Sequence, residues 1–185
     1  LVDEFIEPLC VSALNTPAHA ACGRTFLRVL KDGLFSGRGG SNLLLPRADL
    51  GALLPEPAAA WLRARGHAVH LGRRVQAIGH GGGWRVDGEP FDAVILATGS
   101  SEAARLAAGT GQPAAGAWAA SAAALRFGAI ATVYAEQPGA LLPRPMLALR
   151  GGPGRPAQFV FDRGLLGGPA GVLAFVVSAF EGERG

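Results

Sequence analysis

The stretch Val94-Ile95-Leu96-Ala97-Thr98-Gly99 is the most informative short run in the chain. A strand that ends in Ala-Thr-Gly lets the backbone approach a ligand closely at the carboxyl edge of a sheet, because glycine carries no Cβ to hold the ligand away. The same residues also describe an ordinary buried strand followed by a glycine turn. A second candidate is Gln158-Phe159-Val160-Phe161-Asp162-Arg163. Alternation puts Phe159 and Phe161 on one side of a strand, where they could line an apolar ligand chamber with the polar pair Asp162 and Arg163 at its rim. The plainer alternative is a solvated strand end.

Other chemistries find little support. His19 and Cys22 stand three apart on one helical face and Cys10 could approach from a neighbouring helix, but no C-x-x-C or H-x-x-x-H pairing accompanies them. Free cysteines are commonly buried as small hydrophobes, and no metal is expected. The serines at 12, 36, 41, 100, 101, 121 and 178 lie outside any G-x-S-x-G elbow, so a Ser–His–Asp hydrolase is not indicated. No strand runs into G-x-G-x-x-G and a helix, and no G-x-x-x-x-G-K-S/T is present. The glycine-rich run from Gly33 to Gly40 follows a helix and reads as a loop, and Gly79 to Gly83 reads as a hairpin turn.

The elements that must position these residues can be read from periodicity. A short apolar-faced helix carries Leu9, Cys10, Ala13 and Leu14, and Thr16-Pro17 reads as the start of a second helix reaching about Asp32. Leu43-Leu44-Leu45 reads as a short buried extended piece. Glu56 to Arg65 is then a helix, with Gly66 just past its end. His67 to Leu71 and Arg74 to Ile78 read as strands, the latter joined to Trp84-Arg85-Val86 as a hairpin. Phe91 to Ala97 is a fully apolar strand of the kind found in a sheet covered on both faces. Ser101 to Ala108 and Ala117 to Arg126 are alanine-rich helices. Strands at Ile130 to Ala135, Met146 to Leu149, Gln158 to Phe161 and Val172 to Phe180 follow, separated by Pro/Gly stretches, which implies an antiparallel or mixed sheet. The class is α/β or, with helices and sheet segregated, mixed α+β.

Composition narrows the function classes. The 185 residues are 49% hydrophobic, enough for a real core in one or two domains. Seventeen Lys+Arg against fourteen Asp+Glu give +3, and the basic residues lie singly or in pairs such as Arg73-Arg74, without the block of positive charge that a nucleic-acid binder needs. The most apolar runs, Ala117 to Leu125 and Gly171 to Phe180, are shorter than the ~20 residues of a spanning helix. Two cysteines make no disulfide framework and no secretion pattern opens the chain, so a reducing, cytoplasmic setting is the default. The chain starts without Met and ends at Glu181-Gly182-Glu183-Arg184-Gly185 directly after a strand-like run, which reads as a piece cut from a longer protein.

The order of the pieces says more than any one of them. Leu43-Leu44-Leu45-Pro46, a helix, Gly66-x-x-Val69-x-Leu71-x-x-x-Val75-x-x-Ile78, a hairpin and Phe91 to Thr98 together resemble the middle of FAD-dependent amine oxidases and phytoene desaturases. The flanking runs sharpen the likeness. Glu7-Pro8-Leu9-Cys10 through Ala13-Leu14-Asn15-Thr16-Pro17, Leu43-Leu44-Leu45-Pro46-Arg47-x-Asp49-Leu50, and Pro156 through Gly164 resemble the hydroxysqualene dehydroxylase family, also called squalene-associated FAD-dependent desaturase, along nearly the whole chain.

The resemblance implies a bacterial flavoenzyme of squalene and hopanoid biosynthesis that replaces the hydroxyl of hydroxysqualene by hydrogen. It implies FAD as cofactor, with Val75 offering its backbone to the adenine ring and Thr98 and Gly99 beside the dinucleotide. Many superfamily members carry Pro where this sequence has Gly99. Phe159, Phe161, Asp162 and Arg163 are the expected substrate-binding residues; no catalytic side chain is singled out. The expected division is 1–45 as the helical part of a substrate-binding domain, 46–110 as part of the FAD-binding domain, and 111–185 as the sheet part of the substrate-binding domain. The family's N-terminal G-x-G-x-x-G is not in this chain, so the fragment alone is expected neither to retain FAD nor to turn over, and its exposed apolar surface favours self-association. A lipid-borne isoprenoid substrate is compatible with peripheral membrane association, although no amphipathic basic helix argues for it. The competing readings are a phytoene- or carotenoid-type desaturase and, in a different class, a non-enzymatic apolar-ligand-binding module.

Overall fold

Proline in the first turn of a helix costs no hydrogen bond, and Pro8 accordingly sits at the start of α1 (Glu7–Leu14), which continues a π-helical turn over Val2–Ile6. The computed structural model describes residues 1–152 and 154–180. Pro153 and the expected end at 181–185 lie outside the described residues. The chain divides into two compact units, Leu1–Ala64 with Gly128–Gly185, and Arg65–Phe127. The divisions expected from the sequence fall after residues 45 and 110.

In the first unit, α1 stops at Asn15, which takes the left-handed conformation at φ 48°. The expected helix start at Thr16-Pro17 is a turn instead, and α2 runs Gly23–Leu34. Thr16 does not cap: its hydroxyl donates to the Leu14 carbonyl at 2.9 Å. The Ala18 amide donates to the Glu7 carboxylate, 3.2 Å from either oxygen, which ties the turn back to α1. Leu43 to Leu45 is not the buried piece expected, since Leu44 is 93% exposed. Asp49 then caps α3 (Leu50–Leu53) by accepting from the Gly51 amide, and α4 covers Pro55–Arg63. Gly66, at φ 79°, stands just beyond α4.

The strands expected after residue 128 all form: β4 (Ala129–Glu136), β5 (Met146–Ala148), β6 (Phe159–Asp162) and β7 (Val172–Phe180). They make a four-stranded sheet in the order β4-β7-β6-β5, antiparallel throughout. Directly paired residues share a face. Thr132, Val176 and Phe159 therefore form one row, and Tyr134, Ala174, Phe161 and Met146 the next, on the same face. Val177, Val160 and Asp162 point to the opposite face, where all three are buried. α1 contacts β7, and the Asn15 side chain accepts from the Ala179 amide, pinning the end of the helix to the end of the strand.

In the second unit, β1 (Ile78–His80), β2 (Trp84–Val86) and β3 (Glu89–Phe91) make a three-stranded antiparallel meander. The glycine turn expected between β1 and β2 is present, with His80 paired to Trp84. The expected strands at 67–71 and 74–77 are absent from any ladder. In the second of these, side chains have taken backbone groups: the Asp87 carboxylate accepts from the amides of Gln76 and Ala77, both at 2.9 Å, and Arg105 donates to the carbonyls of Val75 and Gln76. The apolar run to Ala97 also departs from expectation. Only Phe91 belongs to a strand, and Ile95 is 90% exposed. Two helices follow, α5 (Ser100–Ala108) and α6 (Pro113–Ala123), the latter starting earlier than expected because Pro113 takes its first turn. Ala104, Ala107, Ala119 and Ala122 pack the two together with Leu96 and Ala115 against them, small side chains letting the helices approach closely. The class is mixed α+β. Among the described residues no helix is long and apolar enough to cross a membrane, and no three His, Cys, Asp or Glu side chains gather in a metal-holding group.

Candidate functional site

Each unit carries one groove that gathers residues singled out from the sequence. In the first unit the groove has a volume of about 700 Å³, with the β4-β7-β6 face as its floor. Thr132, Tyr134, Ala174, Val176 and Phe161 supply that floor, and the segment from Leu45 to Leu50 and the turn at Leu166 to Gly168 supply the rims. Phe161 and Arg163 line the groove; Phe159 lies on the same face but outside it. Asp162 does not reach it. The alternation of β6 sends its side chain to the other face, where it is 1% exposed.

Asp162 has a different occupation. Its Oδ2 accepts from the Leu142 amide at 2.9 Å and its Oδ1 from the Leu165 amide at 3.1 Å. The Leu142 amide, with those of Leu165 and Gly164, holds its carboxyl below the usual range, against the opposing pull of burial. The carboxylate thus fixes the turn after β6, which is one rim of the groove. That turn closes through the Arg163 carbonyl, which accepts from the Gly168 amide at 2.7 Å. Gly167, at φ 82°, lies against the Arg47 carbonyl, in the space a Cβ would occupy, so glycine is required both for the backbone conformation and for the approach of the opposite rim.

The second unit's groove has a volume of about 510 Å³. Val75, Ile78, Val86, Val94, Ile95 and Leu96 give it an apolar lining; Thr98, Arg73, Arg74 and Glu102 add polar groups. Val75 and Thr98 are thereby brought to one place, although 22 intervening residues separate them in the sequence. Gly99 is the N-cap of α5 and lies one residue from the groove, with open space where a Cβ would be, so its freedom is not used for a close contact within the chain. Glu102 bridges Arg74 at 2.6 Å and Arg105 at 2.9 Å. The Arg105 hydrogen bond comes first among the causes that hold the Glu102 carboxyl below its usual range, with that of Arg74 adding to it.

A match to the family model described as flavin containing amine oxidoreductase runs from residue 2 to residue 180. The chain belongs to that family. Among curated proteins, the hydroxysqualene dehydroxylase of Rhodopseudomonas palustris (strain ATCC BAA-98 / CGA009) is 34% identical over 123 residues, which is 61% of this chain and 29% of that protein. The chain therefore spans well under half the length of this relative. No solved structure matches.

Membership in the amine oxidoreductase family makes FAD the cofactor of the parent flavoprotein. The second unit's groove fits one end of that cofactor. An apolar slot suits the faces of an adenine ring, and a threonine hydroxyl and backbone groups suit its edge and ribose, while Arg73 and Arg74 are already paired with Glu89 and Glu102.

Sequence reasoning missed Thr132 and Tyr134. Their signal was the alternation of Ala129–Glu136, which places both on one face, but no motif pointed to them. Arg47 and Asp49 were quoted as part of the resemblance without a role, and Glu102 and Arg105 carry no signal beyond helical spacing.

Proposed function

We propose that this chain is the central part of an FAD-dependent oxidoreductase that reduces hydroxysqualene to squalene on the route to hopanoids. The observation that carries the reading is the similarity to a hydroxysqualene dehydroxylase. The first unit's groove supports it through its chemistry: an apolar sheet floor with a few hydroxyl and cationic groups suits a long hydrocarbon bearing one oxygen. Val75 and Thr98, with Gly99 at the start of α5, hold the adenosine end of FAD in this reading.

Reduced FAD, when bound, supplies a hydride. In the net reaction a C–O bond breaks, a C–H bond forms at the same carbon, and the oxygen leaves as water after taking a proton. The chain's own residues bind and orient. Phe161, Ala174 and Val176 cover hydrocarbon and exclude water, while the hydroxyls of Thr132 and Tyr134 are donors for the substrate oxygen. Arg163 stands at the rim, where a cation favours the departing oxygen as its negative charge develops.

The test is product analysis of the full-length enzyme with reduced flavin and hydroxysqualene. Squalene is the expected product. New conjugated double bonds in an isoprenoid would move the protein to the desaturases, and uptake of substrate without turnover by a flavin-loaded enzyme would favour a binding module.

A further inference from the structure

The floor of the first unit's groove is uneven, with one small residue set between two rings. Ala174 of β7 pairs with Tyr134 of β4 on one side and with Phe161 of β6 on the other, so two large rings flank one methyl group. All three side chains line the groove. The axes of β4 and β6 stand about 9.6 Å apart, two inter-strand spacings, and the low point between their side chains lies at Ala174. In the adjoining row Val176 lies between Thr132 and Phe159, as large as the threonine and smaller only than the ring, so the low point of the floor is confined to Ala174. The two walls differ: β4 presents the hydroxyls of Thr132 and Tyr134, and β6 presents phenylalanine rings.

We propose that Ala174 sets the substrate specificity of this groove, its methyl group leaving a trough between Tyr134 and Phe161 that seats one methyl branch of a hydrocarbon chain whose oxygen faces the β4 wall. The assignment rests on the functional reading above and adds to it the residue that selects the chain. A larger side chain at 174 would fill the trough between Tyr134 and Phe161 and lift the ligand from the sheet. A chain lying across this row meets apolar atoms below and the Phe161 ring on one side, with the hydroxyls of Thr132 and Tyr134 on the β4 side and the Arg163 guanidinium just past the end of β6, so the face of the chain that bears its oxygen is turned away from Phe161.

The experiment compares kcat and KM for hydroxysqualene in the full-length enzyme and its Ala174→Leu, Ala174→Ser, Tyr134→Trp and Tyr134→Phe variants, with the flavin absorbance of each recorded. Ala174→Leu should raise KM by about tenfold or more with flavin content unchanged, whereas the near-isosteric Ala174→Ser should stay within about twofold of the wild type. Tyr134→Trp, on an exposed edge-strand position, narrows the trough from the side but also removes the hydroxyl, so it is read against Tyr134→Phe, which removes the hydroxyl alone, and should raise KM above that of Tyr134→Phe. If Ala174→Leu loses flavin, its fold is compromised and Tyr134→Trp decides by its KM relative to Tyr134→Phe. A wild type that converts hydroxysqualene while Ala174→Leu leaves KM within about twofold of the wild type, or in its place Tyr134→Trp leaves it within about twofold of Tyr134→Phe, overturns the trough and leaves the functional reading standing. A flavin-loaded wild type that leaves hydroxysqualene unconverted overturns the functional reading itself, and the trough with it.

Discussion

The guanidinium of Arg105 reaches from α5 to the carbonyl of Val75 at 3.0 Å and, through its other amino group, to the carbonyl of Gln76 at 2.7 Å. One side chain thus fixes the irregular segment that lines the second unit's groove, and Glu102, bonded to Arg105 through two nitrogens at 2.9 and 3.1 Å, holds that side chain in place. The arrangement replaces a strand ladder by a clamp. It is a positioning device, since Arg105 itself does not line the groove.

On the proposed placement of FAD, removing the clamp should loosen adenosine binding before it affects anything else. For Arg105→Met in the full-length enzyme, the expected result is an FAD dissociation constant raised by about fivefold, a modest figure because the guanidinium is partly solvated. Titration of the apoenzyme with FAD and separately with ADP reads it out. Both affinities should fall together, and Arg105→Lys should recover part of the loss. Equal FAD affinity in wild type and Arg105→Met would show that the Val75 segment is held by other means.

How much of this was legible in the sequence differs between the two units, for a physical reason. β4 to β7 could be read within a residue or two because each strand finds its antiparallel neighbour within the described chain, and pairing enforces the period-2 pattern. His67 to Leu71 and Val94 to Ala97 carry the same kind of apolar signal, yet no ladder partner exists for them among the described residues, and propensity alone does not make a strand. Alternation and charge point to Phe161 and Arg163, and both line the first groove. Asp162 was misplaced by the rim picture because adjacent strand residues face opposite ways, so Phe161 and Asp162 cannot both line one face. The contributions of Arg47, Thr132 and Tyr134 depend on which segments come together in space, and no local pattern encodes that.

Gly167 offers a stability test of the first groove. Alanine there meets two penalties at once, a left-handed backbone at φ 82° and a collision with the Arg47 carbonyl. Gly167→Ala should cost about 1–3 kcal/mol of stability. Part of that cost can be relieved only by moving the Arg47 rim outward. The measurement is a urea unfolding curve: a midpoint unchanged within error would mean that the two rims do not make this approach in solution.

Acid should destabilise the fold through carboxylates that accept backbone amides. Asp162 is held low first by the Leu142 amide, and Asp87 first by the Ala77 amide, both against burial. A group whose folded pKa lies below its unfolded value contributes stability that is fully present above the unfolded value, about 3.9 for aspartate, and is lost as pH falls through the folded one. The thermal midpoint should thus be flat for these groups from neutral pH to about pH 5 and fall below about pH 4. Asp162→Asn should lower the midpoint at pH 7 by roughly 5 °C and reduce the steepness of its acid branch. A variant whose acid branch parallels that of the wild type would remove Asp162 from the groups responsible.

The two cysteines should behave in opposite ways toward an alkylating reagent. Cys22 is exposed at the N-cap of α2, and the Thr25 hydroxyl, followed by the amides of Thr25 and Arg24, lowers its pKa and favours the thiolate. Cys10 is buried in α1, and burial, aided by the negative charge of Glu7, raises its pKa. Its Sγ faces the Thr16 carbonyl at 3.8 Å, in the turn that Glu7 ties back to α1. Iodoacetamide at pH 7.5 should give, by peptide mass spectrometry, alkylation at Cys22 at least about tenfold faster than at Cys10. Adding denaturant should remove the difference, because it derives from burial and helix-end bonding and not from the thiols themselves. Rapid labelling of Cys10 in the native protein would mean that α1 opens from β7 often enough to expose its inner face, and the contact between Asn15 and Ala179 would then be too weak to hold the helix on the sheet.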